Sequence, residues 1–375
     1  MSNNGISSKA QIAQARLGEI VERGKQQGAQ ILQRILADAP EDALVPTRRI
    51  RFASNPDDQR LTLSDGAEHA WRLHPHALSQ VAERAGIPAA YVRALDVPDV
   101  VEQRGGASVS QSNAWRRELL AHNLHELFAR SKAERLLVRA VRGEARGVLS
   151  DRFRRLDTRP LLEAFVSSCA ERGIVPSGGT ASDVRIALNV IQPEIVEVEG
   201  DHVVFGAEWH NSDFGAGTYS ISEYVLRLVC INGAVGHNAL RQVHLGGKLD
   251  DRIEFSRRTY ELDTRTMVSA TRDIAGSLFS EERREQQLAR LRRAGETETS
   301  WSAARGRLSS LGLSKAETER AKQAFEGEDT LLLPAGQNNW RLSNVLSWMA
   351  NGDAVSADRR LELQRAAGSV LEASA

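Results

Sequence analysis

The chain predicts an α+β fold: an antiparallel multistranded sheet with a β-hairpin and packed helices, plus a helical N-terminal arm and a helical C-terminal unit. Three observations carry this. Apolar residues recur at helical spacing near both ends of the chain, as in Ile12, Leu17, Ile20, Ile31 and Ile35. Aromatic and β-branched residues are densest at 207–236 and just upstream. Short polar turns, Gly143-Glu144, Gly200-Asp201 and Asn232-Gly233, punctuate the strand-like runs. The expected units are an arm over 1–45, an α+β core over 46–294 and a small helical unit over 295–375.

Residues 6–37 read as a helix interrupted by Gly24 and Gly28. Strand-like pieces at 49–53 and 60–63 flank the turn Asn55-Pro56-Asp57-Asp58. Residues 75–95 outline a helix, a turn at Gly86 and a second helix. That is either a packing αα-hairpin or a DNA-reading helix-turn-helix, although Arg93 is the only basic residue in the second helix. A further helix spans 113–130, with Asn113 as N-cap and Leu120, Leu124, Leu127 and Phe128 as its apolar stripe. His122 and His125 lie on it without an evident third metal ligand.

Residues 135–156 predict the hairpin. With Gly143-Glu144 as its turn, Val141 faces Arg146 and Arg139 faces Val148, which puts Arg139 and Arg146 on one sheet face. Ten basic and four acidic residues lie between Arg130 and Pro160. Guanidinium groups so placed either grip phosphate or form ion pairs with Glu144, Asp151 and Asp157. A helix over 158–173, a flexible loop over 176–182, a strand over 183–192 and a strand pair around Gly200-Asp201 follow. In the apolar run 225–231, Arg227 needs a partner; Asp213, Glu223 and a bound phosphate are the candidates. The turn His210-Asn211-Ser212-Asp213 is either a plain Asx-turn or a ligand-facing loop. Residues 256–294 are a long helical region, 295–302 a linker, and Ser314 with Glu317 matches a capping box before the stretch 339–352 and a closing helix over 357–371.

Charge restricts the function classes. The 49 basic and 49 acidic residues cancel, so no global basic field exists. Residues 189–226 carry seven acidic side chains and no Lys or Arg, a face that would repel a nucleic-acid backbone and suit a basic hairpin of a neighbouring subunit. Two cysteines, Cys169 and Cys230, exclude a disulfide scaffold and a Cys-based zinc motif. With no apolar leader and no window of about 18 apolar residues, a soluble cytoplasmic protein without a membrane partner is expected. The stretch RQVHLGGK lacks P-loop spacing, and no cofactor or metal site is expected.

Five blocks carry a resemblance: GIPAAYVRAL, RGVLSDRFRRLD, HNSDFGAG joined to RLVCINGAV, VHLGGKL, and ANGDAVSADRRLELQRAAG. Together, across roughly residues 70–370, they resemble the phage/plasmid-like proteins of domain-of-unknown-function family 932. The family turn reads Asn-Ser-Glu-x-Gly, whereas here Asp213 stands for the acid and Phe214 follows. The resemblance implies a role in phage or plasmid DNA replication or recombination. The order of hairpin, helix and sheet is also similar to phage single-strand annealing proteins, which form rings or filaments and hold single-stranded DNA in a basic groove.

Three functions are expected in competition. The first is an oligomeric protein that binds single-stranded DNA through Arg139, Arg142, Arg146, Arg152, Phe153, Arg154 and Arg155, joined by Arg227, Arg241, His244 and Lys248. It needs the hairpin arginines to line one groove. The second is a metal-dependent nuclease using Asp151, Asp157, Asp183, His210 and Asp213. The third is a non-enzymatic, self-assembling interaction protein of a mobile element.

Overall fold

The computed structural model describes residues 3–373 apart from 56, 58, 105–106, 132, 199, 230–231, 243–255, 329–332 and 353. Helix α1 (Asn3–Ala37) runs unbroken through Gly24 and Gly28. Strand β1 (Glu41–Pro46) follows, so the expected boundary at residue 45 falls inside a strand. Next come β2 (Arg51–Asn55), β3 (Arg60–Ser64), β4 (Ala70–Leu73), α2 (Pro75–Arg84), α3 (Ala89–Leu95), the ribbon of β5 (Val100–Arg104) and β6 (Ala107–Gln111), α4 (Ala114–Phe128), β7 (Arg135–Val141) and β8 (Glu144–Ser150). Six of these strands form the first sheet in the order β1-β7-β8-β4-β3-β2, antiparallel except for β4 with β8. One face buries Leu63, Trp71, Leu136 and Val138 against Val81, Leu120 and Leu124 of the helices. The pair α2 and α3 is therefore a packing hairpin.

The hairpin turns one residue earlier than its sequence suggests. Arg142 and Gly143 hold the positive φ values, 49° and 77°, that a two-residue turn of matching twist requires. Val141 then pairs with Glu144, and the register slips between Arg139 and Ala140, leaving Arg146 as the extra residue of a bulge.

The second half contains α5 (Thr158–Ala170), β9 (Val175–Ala181), β10 (Ile186–Ile191), β11 (Val196–Val198), β12 (Asp201–Asn211), β13 (Tyr219–Arg227) and β14 (Asn232–Gln242). They form an antiparallel sheet in the order β14-β13-β12-β10-β9, with β11 on β12. The supposed loop at 176–182 is thus mostly edge strand β9, and Asn232-Gly233 opens β14 instead of forming a turn. Pro176 is tolerated because β9 is an outer strand. Gly24 and Gly28 of α1 pack directly on Pro176, so α1 lies against the sheet and is no free arm.

Helices α6 (Arg257–Leu278) and α7 (Glu281–Glu296) split at Ser280, whose hydroxyl caps α7. Then come α8 (Trp301–Ser310), α9 (Lys315–Glu326), α10 (Asn339–Ala350) and α11 (Ala357–Glu372), with the Ser314–Glu317 capping box in place. Period-two alternation divides the second sheet into two faces. Val203, Phe205 and Val225 meet the C-terminal helices, sharing one core with Leu342, Leu346 and Ala367. Trp209, Tyr219 and Ile221, further along that face, meet Phe165 of α5 and Met267 and Ala275 of α6. On the opposite face Val204, Tyr224 and Leu226 meet Ala13, Leu17 and Ile20 of α1. No helix among the described residues is long and apolar enough to cross a membrane.

Candidate functional site

Arg139 and Arg146 do share one sheet face, as the sequence suggests, but the face is closed. Arg139, 2 % exposed, donates to Asp42 at 2.7 Å, to Asp157 at 2.6 Å and to the Asp213 carbonyl at 2.9 Å. Burial works against its charge, but the carboxylates of Asp157, Asp213 and Asp42 outweigh it and hold the guanidinium above its ordinary range. Arg146 donates to Asp38 at 2.8 Å and lies over the Phe214 ring. Arg154 forks onto both oxygens of Asp263 at 2.6 and 2.5 Å. Arg155 joins Asp42 at 2.6 Å and covers the Tyr260 ring. Arg142 is exposed but donates to the Ala37 carbonyl. Arg152 is partly buried, and Phe153 is buried with Leu137 and Leu149, where no base can stack on it. Arg227 pairs with Asp201 at 2.5 Å, neither Asp213 nor Glu223. Among the described residues, the expected basic trench does not exist: these cations cross-link the chain. Arg241 lies in β14 opposite Ser220, and His244 and Lys248 fall outside the described residues.

The Asn211-Ser212-Asp213 turn is a rivet between the sheets. Asn211 Nδ2 donates to the Leu156 carbonyl at 2.7 Å and to Thr158 Oγ1 at 3.0 Å. Ser212 Oγ donates to the Val184 carbonyl and accepts the Ala216 amide. Asp213 Oδ1 accepts the Thr158 amide at 2.8 Å; burial, opposed by Arg139, pushes its carboxyl up to about 6. The Phe214 carbonyl accepts Gln80 Nε2 at 2.9 Å, and Gln80 Oε1 takes the Val148 amide beside the bulge. These groups satisfy one another, which is the plain-turn alternative.

Part of the acidic stretch 189–226 is answered within the chain. Glu194 meets Arg284, Asp201 meets Arg227, and Glu223 meets both Arg283 and Arg290 of α7. The nuclease candidates are similarly engaged: Asp157 with Arg139, Asp183 with Arg34, Asp151 with Arg135 at 3.9 Å, and His210 Nδ1 with the Thr218 carbonyl. No group of three His, Cys, Asp or Glu side chains among the described residues is placed to hold a metal, at His122 and His125 or elsewhere. Burial pushes the Cys169 thiol up to about 12, which leaves it unreactive.

The open space lies elsewhere. A cleft of about 800 Å³ runs between α1, strands β9 and β10, and α11. Its floor is the face of the second sheet that carries Glu208, His210 and Tyr224, with Asn189 directly across from Glu208. Its rim carries Arg23, Arg185 and Arg360. Arg185 and Arg360 each donate to a backbone carbonyl, of Ala216 and Ala350. Neither Arg23 nor Arg360 pairs with a carboxylate among the described residues. Glu208 is 2 % exposed, and burial, opposed by Arg365, pushes its carboxyl up to about 7.

Of the candidate site residues singled out in the sequence, His210 is the one among those described that lines this cleft. Glu208 lay concealed inside a strand, and Arg23 and Arg360 belong to helices some 340 residues apart in the chain. One signal was legible: a glutamate in the β-patterned run 202–209 falls on the same face as Val204, where an acid needs a reason. The chain is an α+β protein with an arginine-rimmed polar cleft. No protein-family model, no curated protein and no solved structure matches it.

Proposed function

We propose that this chain is a nucleic-acid-binding protein of phage or plasmid DNA metabolism, and that single-stranded DNA runs along the cleft of the second sheet, away from the first hairpin. The observation that supports this best is the contrast in arginine use. The hairpin arginines Arg139, Arg146, Arg154 and Arg155 are held by carboxylates, whereas Arg23 and Arg360 line an open cleft and pair with no carboxylate among the described residues. A guanidinium left unmatched beside a groove is what a phosphate backbone recruits. The resemblance to the phage/plasmid-like family points the same way, and its likeness to annealing proteins makes a homo-oligomer part of the proposal.

Fluorescence polarisation with a labelled single-stranded oligodeoxynucleotide at two salt concentrations tests it. Affinity should fall with salt. Replacing Arg23 and Arg360 by Glu should weaken it and flatten the plot of log K against log salt by about 0.7 for each phosphate no longer neutralised. Arg142→Glu, on the exposed hairpin turn, should leave it unchanged. Salt-independent or absent binding overturns the proposal.

A further inference from the structure

We infer that the floor of the cleft seats one unpaired nucleobase bearing an amino group, with the adjoining phosphate at the Arg23 and Arg360 rim; this rests on the strand-binding proposal above. Asn189 and Glu208 are cross-strand partners, and Tyr224 stands on the same sheet face two residue pairs along. Among the described residues, two oxygens here are buried without a hydrogen-bond partner, Asn189 Oδ1 and Glu208 Oε1. Arg365 Nη2 pairs with Glu208 as an ion pair, 3.7 Å from Oε1, longer than a good hydrogen bond. Buried acceptors left in this state are rare, and each costs free energy that an incoming donor recovers.

The cleft sets three demands on its occupant. Its inner end must bring N–H donors to two orphan acceptors. Its outer end must be anionic, because the rim is cationic. It must fit a volume within the range of small-ligand sites. A cationic ligand would suit Glu208 but meet repulsion at Arg23 and Arg360. A neutral sugar would leave the rim arginines unused. A nucleotide with an exocyclic amino group meets all three demands: donors on the base edge, phosphate at the other end.

The test compares the intact protein's affinity for three oligonucleotides of equal length: oligo-dC, oligo-dT, which lacks an exocyclic amino group, and an abasic strand of the same phosphate spacing. Oligo-dC should bind about tenfold more tightly than the abasic strand, the scale of one or two hydrogen bonds made in a buried site, with oligo-dT between them. Glu208→Leu, which removes the orphan acceptor and keeps the site apolar, should close much of that gap without changing the salt slope. Asn189→Ala, which alters no charge, should act in the same direction. If the abasic strand binds as tightly as oligo-dC, and with the same salt dependence, the base seat is wrong and phosphate grip alone stands. If no strand binds, the strand-binding proposal falls with it.

Discussion

Arg139 Nη1 donates to the backbone carbonyl of Asp213 at 2.9 Å, joining a strand of the first sheet to the turn that leaves β12 of the second. The same guanidinium holds Asp42 of β1 and Asp157 at the start of α5. One buried side chain therefore fixes three segments that are distant in sequence.

Arg139→Met should destabilise the protein by about 3–5 kcal/mol, because it leaves Asp157 and the Asp213 carbonyl without this donor and Asp42 with Arg155 alone. Arg139→Lys should recover little, since a single ammonium cannot serve that fan of acceptors. Urea unfolding monitored by circular dichroism is the measurement. A loss below about 1 kcal/mol for the methionine variant would show the network to be dispensable.

Asp201 accepts Arg227 on one oxygen and Trp340 Nε1, at 3.1 Å, on the other. It thereby docks α10 onto the sheet. Asp201→Leu and Arg227→Met should each be costly, and the double variant should be more stable than the summed single losses by about 1–3 kcal/mol. Additive losses would mean the two charges do not depend on each other.

Stability should rise as pH falls from 8 to 5. The Glu208 carboxyl titrates at about 7 in the fold against 4.5 unfolded, so its ionisation opposes folding at high pH, and that penalty lifts on protonation. Arg365 pairs with it, and His210, the Tyr224 hydroxyl, Arg23 and Arg360 line the same cleft. Asp213, at about 6, adds to the trend in the same direction. Glu317 acts oppositely: its hydrogen bonds to Arg359 lower its carboxyl to about 2, so its contribution is lost as pH falls below 4.5. Glu208→Gln should be more stable than the parent at pH 8, by about 3 kcal/mol at most, with the gap shrinking to under about 1 kcal/mol at pH 5. A difference that stays constant across that range counts against a shifted Glu208.

Gly368 of α11 packs on the Val235 carbonyl of β14 so closely that a Cβ would overlap it. Gly368→Ala should lower the midpoint of thermal unfolding and cost about 1–3 kcal/mol, since backbone must move. Gly306→Ala, in α8 with open space around it, should be neutral or stabilising. Equal effects at the two positions would show that α11 can shift off the sheet at no cost.

Much of the architecture was legible in local pattern. Leu188 and Val190 alternate with Ala187 and Asn189, and the Ser314–Glu317 spacing announced its cap; both hold because period and capping are short-range properties. The segment VPSGGTA misled, since its Pro, Ser and Gly favour a loop. Pairing with β10 and packing under α1 make it a strand. The hairpin misled by one residue, because the turn chose the pair that could take positive φ, Arg142 with Gly143, and a bulge at Arg146 restored the face.

The amino-acid order by itself determined the α+β class, most helix and strand positions, and a surplus of arginine around the first hairpin. It could not say what those arginines touch. Asp38, Asp42 and Asp263 lie tens to more than a hundred residues from Arg146, Arg139 and Arg154, and only folding brings them within hydrogen-bond reach. A charge's role depends on whether its partner is a carboxylate of its own chain or open solvent. Tertiary structure decided that question, turning the hairpin arginines into internal cross-links and leaving Arg23, Arg360 and Glu208 around the cleft.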